Sequence, residues 1–107
     1  MPKYLFAYHG GATPESTSQE ERDAIMGQWM AWYEELGEAI VDGGAPTAVS
    51  KTVGADGTVS DTGASYVTGY TIITADSLDD ALGAAKGCPV RESNGSIEVA
   101  ELIDMAP

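Results

Sequence analysis

Apolar positions along the chain follow two periods, and the switch between them outlines the elements. From Lys3 to His9 the run KYLFAYH puts Tyr4, Phe6 and Tyr8 on one side of an extended chain and Leu5, Ala7 and His9 on the other. A sheet with one wet face alternates apolar with polar residues, and this strand does not, so it is expected to be covered on both sides. Residues 10–17, GGATPEST, have the composition of a loop. Ser18-Gln19-Glu20-Glu21 then forms an S-x-x-E capping box, with acids in the first turn where the helix dipole favours them. Ile25, Trp29, Trp32 and Leu36 recur at i, i+4, i+7 and i+11, which predicts a long helix to about Leu36. Met26, Met30 and Tyr33 widen its apolar stripe, and Gly37 is placed to end it.

The second half shortens its elements. AIVDGGAP, residues 39–46, predicts a short strand stopped by glycines and a proline. In SKTVGADGTVSD, residues 50–61, Asp56-Gly57 lies between two Thr-Val pairs and predicts a hairpin with a type I′ turn. TGAS, residues 62–65, is a further turn, and YVTGYTIITA, residues 66–75, is the clearest strand. Tyr66, Thr68, Tyr70, Ile72 and Thr74 share one of its faces, and Gly69 inside it signals a bulge or a close backbone approach. Ser77 caps a second helix whose buried face is expected to be Leu78, Ala81, Leu82 and Ala85, with Lys86, Gly87 and Pro89 ending it. SIEVAELI, residues 96–103, is the last strand, with Ile97, Val99 and Ile103 inward and Glu98 on the opposite face.

The main order is β-α-β-β-α-β with an inserted hairpin, the split unit of a ferredoxin-like antiparallel α+β sheet in one domain spanning 1–107. Two helices cover only one sheet face. The other face also carries apolar and aromatic residues, and a second copy of the chain is the simplest cover, so a homodimer with sheets face to face is expected.

Several stretches together resemble the YCII-related domain family, in its DGPF-type branch. They are KYLFAYHG, MGQWMAWYEELGEAIVDGGAP, KTVGADGTVSDTG, GYTIITADSLDDALGAAKGCPV and GSIEVAEL, in that order over nearly the whole chain. The resemblance implies a ferredoxin-like fold that dimerises as an α/β-barrel. It implies a fold more firmly than a reaction, since many DGPF-type members have no assigned function. The chain departs from the family in two places. The DGPF motif is absent, and Asp61-Thr62-Gly63-Ala64 stands in its position. The histidine suspected of catalysis in YCII-type members lies on the first helix, where this chain has Gln28 and Trp29, so that histidine–aspartate pair does not carry over.

Charge narrows the partners. Lys3, Arg22, Lys51, Lys86 and Arg91 face 17 acidic residues, for a net charge of −12. Such a surface repels nucleic acid and anionic membranes and otherwise serves solubility. No D-x-D-x-D-G loop suggests calcium binding. The length of 107 residues and 43% hydrophobic content suit one domain with a real core. A single cysteine, Cys88, makes no intramolecular disulfide, and the first residues hold no signal peptide or membrane span, so a cytoplasmic location is expected.

Candidate chemistry centres on His9, the one histidine, at a strand end before Gly10-Gly11. An unperturbed histidine exchanges its proton near pH ~6.5 and can act as a base; the alternative is a strand-end residue bonded to a backbone carbonyl. Asp42, the one acid in VDGG, can orient His9 as in general-base sites or cap its own turn, the simpler reading. Tyr8, Trp29 and Tyr70 can wall a ligand pocket or pack as core and interface. Lys51 can hold an anion or sit solvated on the hairpin. Cys88 follows a helix C-terminus, whose negative dipole end raises a thiol pKa, and reads as packing. One histidine and one cysteine give no metal-ligand spacing, and neither a P-loop nor G-x-G-x-x-G is present, so no cofactor or metal is expected.

Two functions from different classes fit these residues. One is a cofactor-free lyase or isomerase acting on a small organic acid or phenolic compound, with His9 as base and Asp42 its orienter. The other is a non-catalytic ligand-binding or regulatory accessory dimer. An enzyme site puts His9 in a concave pocket within hydrogen-bond reach of a carboxylate; a binding module leaves it solvated or bonded only to backbone.

Overall fold

A computed structural model of the chain describes residues 2–10, 18–47, 50–61, 67–93 and 95–103. Its elements are β1 (Lys3–His9), α1 (Gln19–Leu36), β2 (Ile40–Asp42), β3 (Lys51–Val53), β4 (Val59–Asp61), β5 (Val67–Thr74), α2 (Leu78–Ala85) and β6 (Ser96–Leu102). Short 3₁₀ segments, Gly37–Ala39 and Pro89–Ser93, follow the two helices. Four strands form one antiparallel sheet in the order β2-β5-β1-β6, and β3 and β4 form a separate two-stranded sheet. The fold is therefore α+β, an antiparallel sheet with two helices, consistent with a ferredoxin-like arrangement.

Both helices begin as their sequences direct. The Ser18 hydroxyl accepts from the Glu21 amide at 3.2 Å, and the Ser77 hydroxyl from the Asp80 amide at 3.2 Å. Gly37 ends α1 at φ +52°, a conformation open to glycine. The loop expected over 10–17 lies, beyond Gly10, outside the described residues, as do the 62–65 turn and Tyr66.

The core lies between the sheet and the helices. Tyr4, Phe6 and Tyr8 of β1 point into it with Ile73 of β5, and Ile97 and Val99 of β6 pack against it. Trp32 is its centre. Its ring stacks on Phe6 at 5.9 Å, and its indole N–H donates to the Ala84 carbonyl at 3.0 Å, which ties α1 to α2. The helix stripes are narrower than the sequence suggests. Met26 and Met30 are exposed, because the large rings of Trp29, Trp32 and Tyr33 already fill the contact with the sheet. Leu78 and Leu82 are exposed too. It is the small Ala81 and Ala85 that let α2 approach closely. Ile103 lies past the end of β6 and is exposed.

Two turns differ from expectation or sharpen it. The Gly57 amide bonds the Gly54 carbonyl at 2.9 Å, so the hairpin turn centres on Ala55-Asp56, not on Asp56-Gly57. Gly57, at φ +86°, is the left-handed residue that returns the chain to β4. Beside Gly69 both expected features occur. Tyr8 pairs Gly69 but His9 pairs Val67, leaving Thr68 as a bulge. A β-carbon on Gly69 would meet the Ala45 carbonyl at 3.2 Å, where Pro46 bridges to this strand.

Strand register assigns the face away from the helices. It carries Leu5, Ala7 and His9 of β1, Tyr70 and Ile72 of β5, and Glu98 and Ala100 of β6. Among the described residues the helices cover the opposite face, and on this face Ala7 is buried while Leu5 and Ile72 are half-buried.

Candidate functional site

Successive residues of a strand point to opposite faces, so the end of β1 serves two environments at once. Tyr8 turns toward α1 and His9 turns away from it.

On the helix side the Tyr8 hydroxyl lies 2.6 Å from the hydroxyl of Thr71, a fully buried residue. Tyr33 of α1 reaches the same oxygen at 3.0 Å and donates to the Gly43 carbonyl at 3.2 Å. Three hydroxyl hydrogens serve this set, and one assignment uses each once: Tyr8 to Thr71, Thr71 to Tyr33, Tyr33 to the Gly43 carbonyl. The Trp29 ring meets Tyr8 edge-on at 4.8 Å. The network joins β1, β5, α1 and the exit of β2, and its burial, more than any partner, holds the Tyr8 phenol well above the ordinary tyrosine range.

A raised folded pKa fixes the sign of the pH effect. The contribution of neutral Tyr8 to stability is fully present below the unfolded value of about 10 and is lost as pH rises above it, since only the unfolded chain then ionises. In an alkaline titration, part of the phenolate absorbance should therefore rise only with the loss of circular dichroism, and Tyr8→Phe should reduce that late step. Full phenolate absorbance before unfolding would contradict it.

On the helix-free side His9 Nε2 lies 3.1 Å from Glu98 Oε1. Glu98 is the cross-strand partner of Ala7 and so sits diagonal to His9, within reach of a long side chain. The His9 side chain is 20% exposed and that of Glu98 66%. When Nε2 carries the hydrogen and donates it to the carboxylate, Nδ1 is the basic nitrogen.

The remaining candidates disperse. Asp42 does not orient His9. It stands on the edge strand β2, and its carboxylate accepts from the Gly44 amide at 2.8 Å, closing its own turn. Of the proposed aromatic walls, Tyr8 and Trp29 meet on the helix side, whereas Tyr70 alternates onto the face of His9. Lys51 pairs with Asp61 across the hairpin. Cys88 is buried, and its thiol is pushed up to about 11, by burial first. The Val90 backbone and Arg91 act against that shift, and burial outweighs both. Among the described residues no three of histidine, cysteine, aspartate and glutamate stand together to hold a metal. No described helix is long and apolar enough to cross a membrane.

Sequence reasoning missed Tyr33, Thr71 and Glu98 as site residues. Thr71 left a signal, a hydroxyl in the row of β5 that faces the helices, which requires a buried partner. Glu98 left none, because its place beside His9 depends on the register of β6 against β1.

No curated protein sequence matches the chain. A solved structure similar to it is that of 5-chloro-2-hydroxyhydroquinone dehydrochlorinase (TftG) from Burkholderia phenoliruptrix AC1100, in complex with 2,5-dihydroxybenzoquinone. The likeness covers 92% of this chain and 93% of that one, with a TM-score of 0.54 and 20% identity, and it is a likeness of fold. The YCII-related domain matches residues 5–106, nearly the whole length. The chain belongs to the YCII-related domain family.

Proposed function

We propose that this chain is a cofactor-free small-molecule enzyme of the lyase or isomerase type, with His9 as general base and Glu98 in the orienting role first assigned to Asp42. The observation that carries the reading is the 3.1 Å contact between His9 Nε2 and Glu98 Oε1. A carboxylate bound to one ring nitrogen fixes the tautomer and stabilises the imidazolium formed when the other nitrogen takes a proton. Tyr70 shares this face and, among the described residues, is the aromatic side chain available as a wall. A phenolic substrate is preferred over a small organic acid. The similarly folded dehydrochlorinase acts on a hydroxyhydroquinone, and an acidic protein of net charge −12 repels a carboxylate more than a neutral phenol.

The reading includes a homodimer. Taken without the β3–β4 hairpin, the order is β-α-β-β-α-β, and two such sheets packed through their helix-free faces make a dimeric α/β-barrel. That packing removes water from Leu5, Ile72 and Ala100 and encloses the His9–Glu98 pair. One cysteine and no intrachain disulfide suit a cytoplasmic location.

The test is proton abstraction itself. Hydroxylated phenols and small organic acids are incubated with protein in deuterated water, and exchange into the ligand is followed by NMR. Wild type should catalyse exchange in a phenolic ligand, and His9→Asn should slow it by about 10²–10⁴-fold, with a smaller loss in Glu98→Gln. Binding without exchange supports instead the non-catalytic ligand-binding dimer, and exchange unchanged in His9→Asn overturns His9 as the base.

A further inference from the structure

The β5 strand is irregular where it passes His9. On the other side β6 pairs β1 in unbroken register through His9 and Ser96, so the irregularity belongs to β5 alone. Tyr8 pairs Gly69, and the next pair is His9 with Val67. In a regular ladder Thr68 would stand opposite His9. The bulge puts Val67 there and leaves Thr68, half-buried, as the extra residue.

The Thr68 side chain turns to the backbone of β1. Its hydroxyl donates to the Tyr8 carbonyl at 3.2 Å and to the Gly10 carbonyl at 3.1 Å, the two carbonyls that straddle His9 in the chain. Both bonds are long for a hydroxyl donor, as expected when one hydrogen is shared by two acceptors. The bulge is itself held from the side of β2. The Thr47 hydroxyl donates to the Val67 carbonyl at 2.6 Å, and the Thr47 amide to the Thr68 carbonyl at 2.9 Å. Element ends are where a backbone opens most easily. Gly10, at φ +71°, takes the chain out of the ladder directly after His9. The Thr68 hydroxyl thus restrains β1 at the residue where the ladder stops.

We infer that Thr68 is a positioning residue: its hydroxyl, anchored by the bulge and Thr47, fixes the backbone on both sides of His9 and so aims the imidazole at Glu98. This role rests on the reading of His9 as the base and deepens it. The His9–Glu98 contact crosses the ladder diagonally, so it depends on how the end of β1 twists, and a bulge sets that local twist.

Three variants read the role. Thr68→Val keeps the branched shape and loses the donor, Thr68→Ser keeps the donor, and Glu98→Gln replaces the carboxylate. With one histidine in the chain, the imidazole nitrogen resonances are assigned directly. At fixed pH, Thr68→Val should displace them in the same direction as Glu98→Gln, and Thr68→Ser should keep the wild-type positions. In the deuterium-exchange assay Thr68→Val should lower kcat by about 10–100-fold with KM little changed, and Thr68→Ser should restore most of the loss. A lower melting temperature in Thr68→Val with unmoved imidazole resonances would make the hydroxyl a stabiliser of the bulge only. That result overturns the positioning role and leaves His9 as base. An equal displacement in Thr68→Ser would overturn it as well. An inactive wild type removes the enzyme reading, and the resonances alone then uphold or overturn the aim of His9 at Glu98. Should Thr68→Val fail to fold, Thr47→Val takes its place by releasing the bulge from the β2 side. A smaller displacement of the same sign is expected there, and none would overturn the inference.

Discussion

Trp32→Ala should lower the stability of the folded chain by about 3–5 kcal/mol, in the range for deleting a buried indole. Trp32 is 3% exposed and is the contact through which the two helices and the sheet meet. Its removal takes away the stacked face of Phe6, the edge contact with Trp29 and the tilted contact with Tyr33. It also leaves the Ala84 carbonyl without the indole donor. The void cannot close easily, since its other walls are the β1 strand and the closely approaching backbone of α2. A denaturant titration checks this: the midpoint should fall by the largest amount of any single alanine substitution in α1, with an unchanged slope. Met30→Ala is the control, because that side chain is exposed and its loss should be nearly silent. A midpoint close to wild type in Trp32→Ala would show that the core is not organised around this ring.

Gly44→Ala should cost about 2–5 kcal/mol although it adds one methyl group. Two effects combine. Gly44 sits at φ +74°, where an L side chain costs about 1–2 kcal/mol. A β-carbon there would also stand 1.6 Å from the carbonyl oxygen of Tyr70 and 2.6 Å from its carbon, both backbone atoms in a paired strand. One chain segment must move, and forced repacking of this kind costs typically about 1–3 kcal/mol. The segment that gives way is the 42–46 turn. It holds the Asp42 cap, the Gly43 carbonyl that accepts from Tyr33, and the bridge from Pro46 to Gly69. Gly43→Ala is the matched control, since nothing lies within 4 Å of the β-carbon it would add. Thermal unfolding of the two variants should separate them by several degrees. Equal melting temperatures would mean that the turn is not pressed against β5.

The helical starts were readable because a cap is a local device. Ser18 and Ser77 need only the amide three residues on, and both find it. The apolar stripes were readable in phase but not in width. Periodicity says which side of α1 faces the sheet, yet whether Met30 is reached depends on how far the rings of Trp29 and Tyr33 hold the helix from the strands. Alanine in α2 carried the opposite lesson, since the smallest side chains mark the closest approach. The hairpin was legible as a pair of strands. Its turn sits one residue earlier than Asp56-Gly57, because Asp-Gly supports both a two-residue turn and the longer one in which glycine follows the turn.

Caps and periodicity are enough to read the main elements and the α+β class of this chain, because each follows from intervals of a few residues. The sequence likewise places His9 at a strand end and Asp42 in a turn able to cap itself. Which carboxylate meets the imidazole is settled by strand pairing, beyond the reach of local spacing. Glu98 lies 89 positions from His9, and the two approach because β6 pairs with β1 in a particular register. The same holds for Tyr8, Tyr33 and Thr71, which come from three elements and meet at one buried oxygen. Hydrogen bonds between distant residues depend on strand pairing and helix docking, and a one-residue slip in either would send the same side chains to the other face.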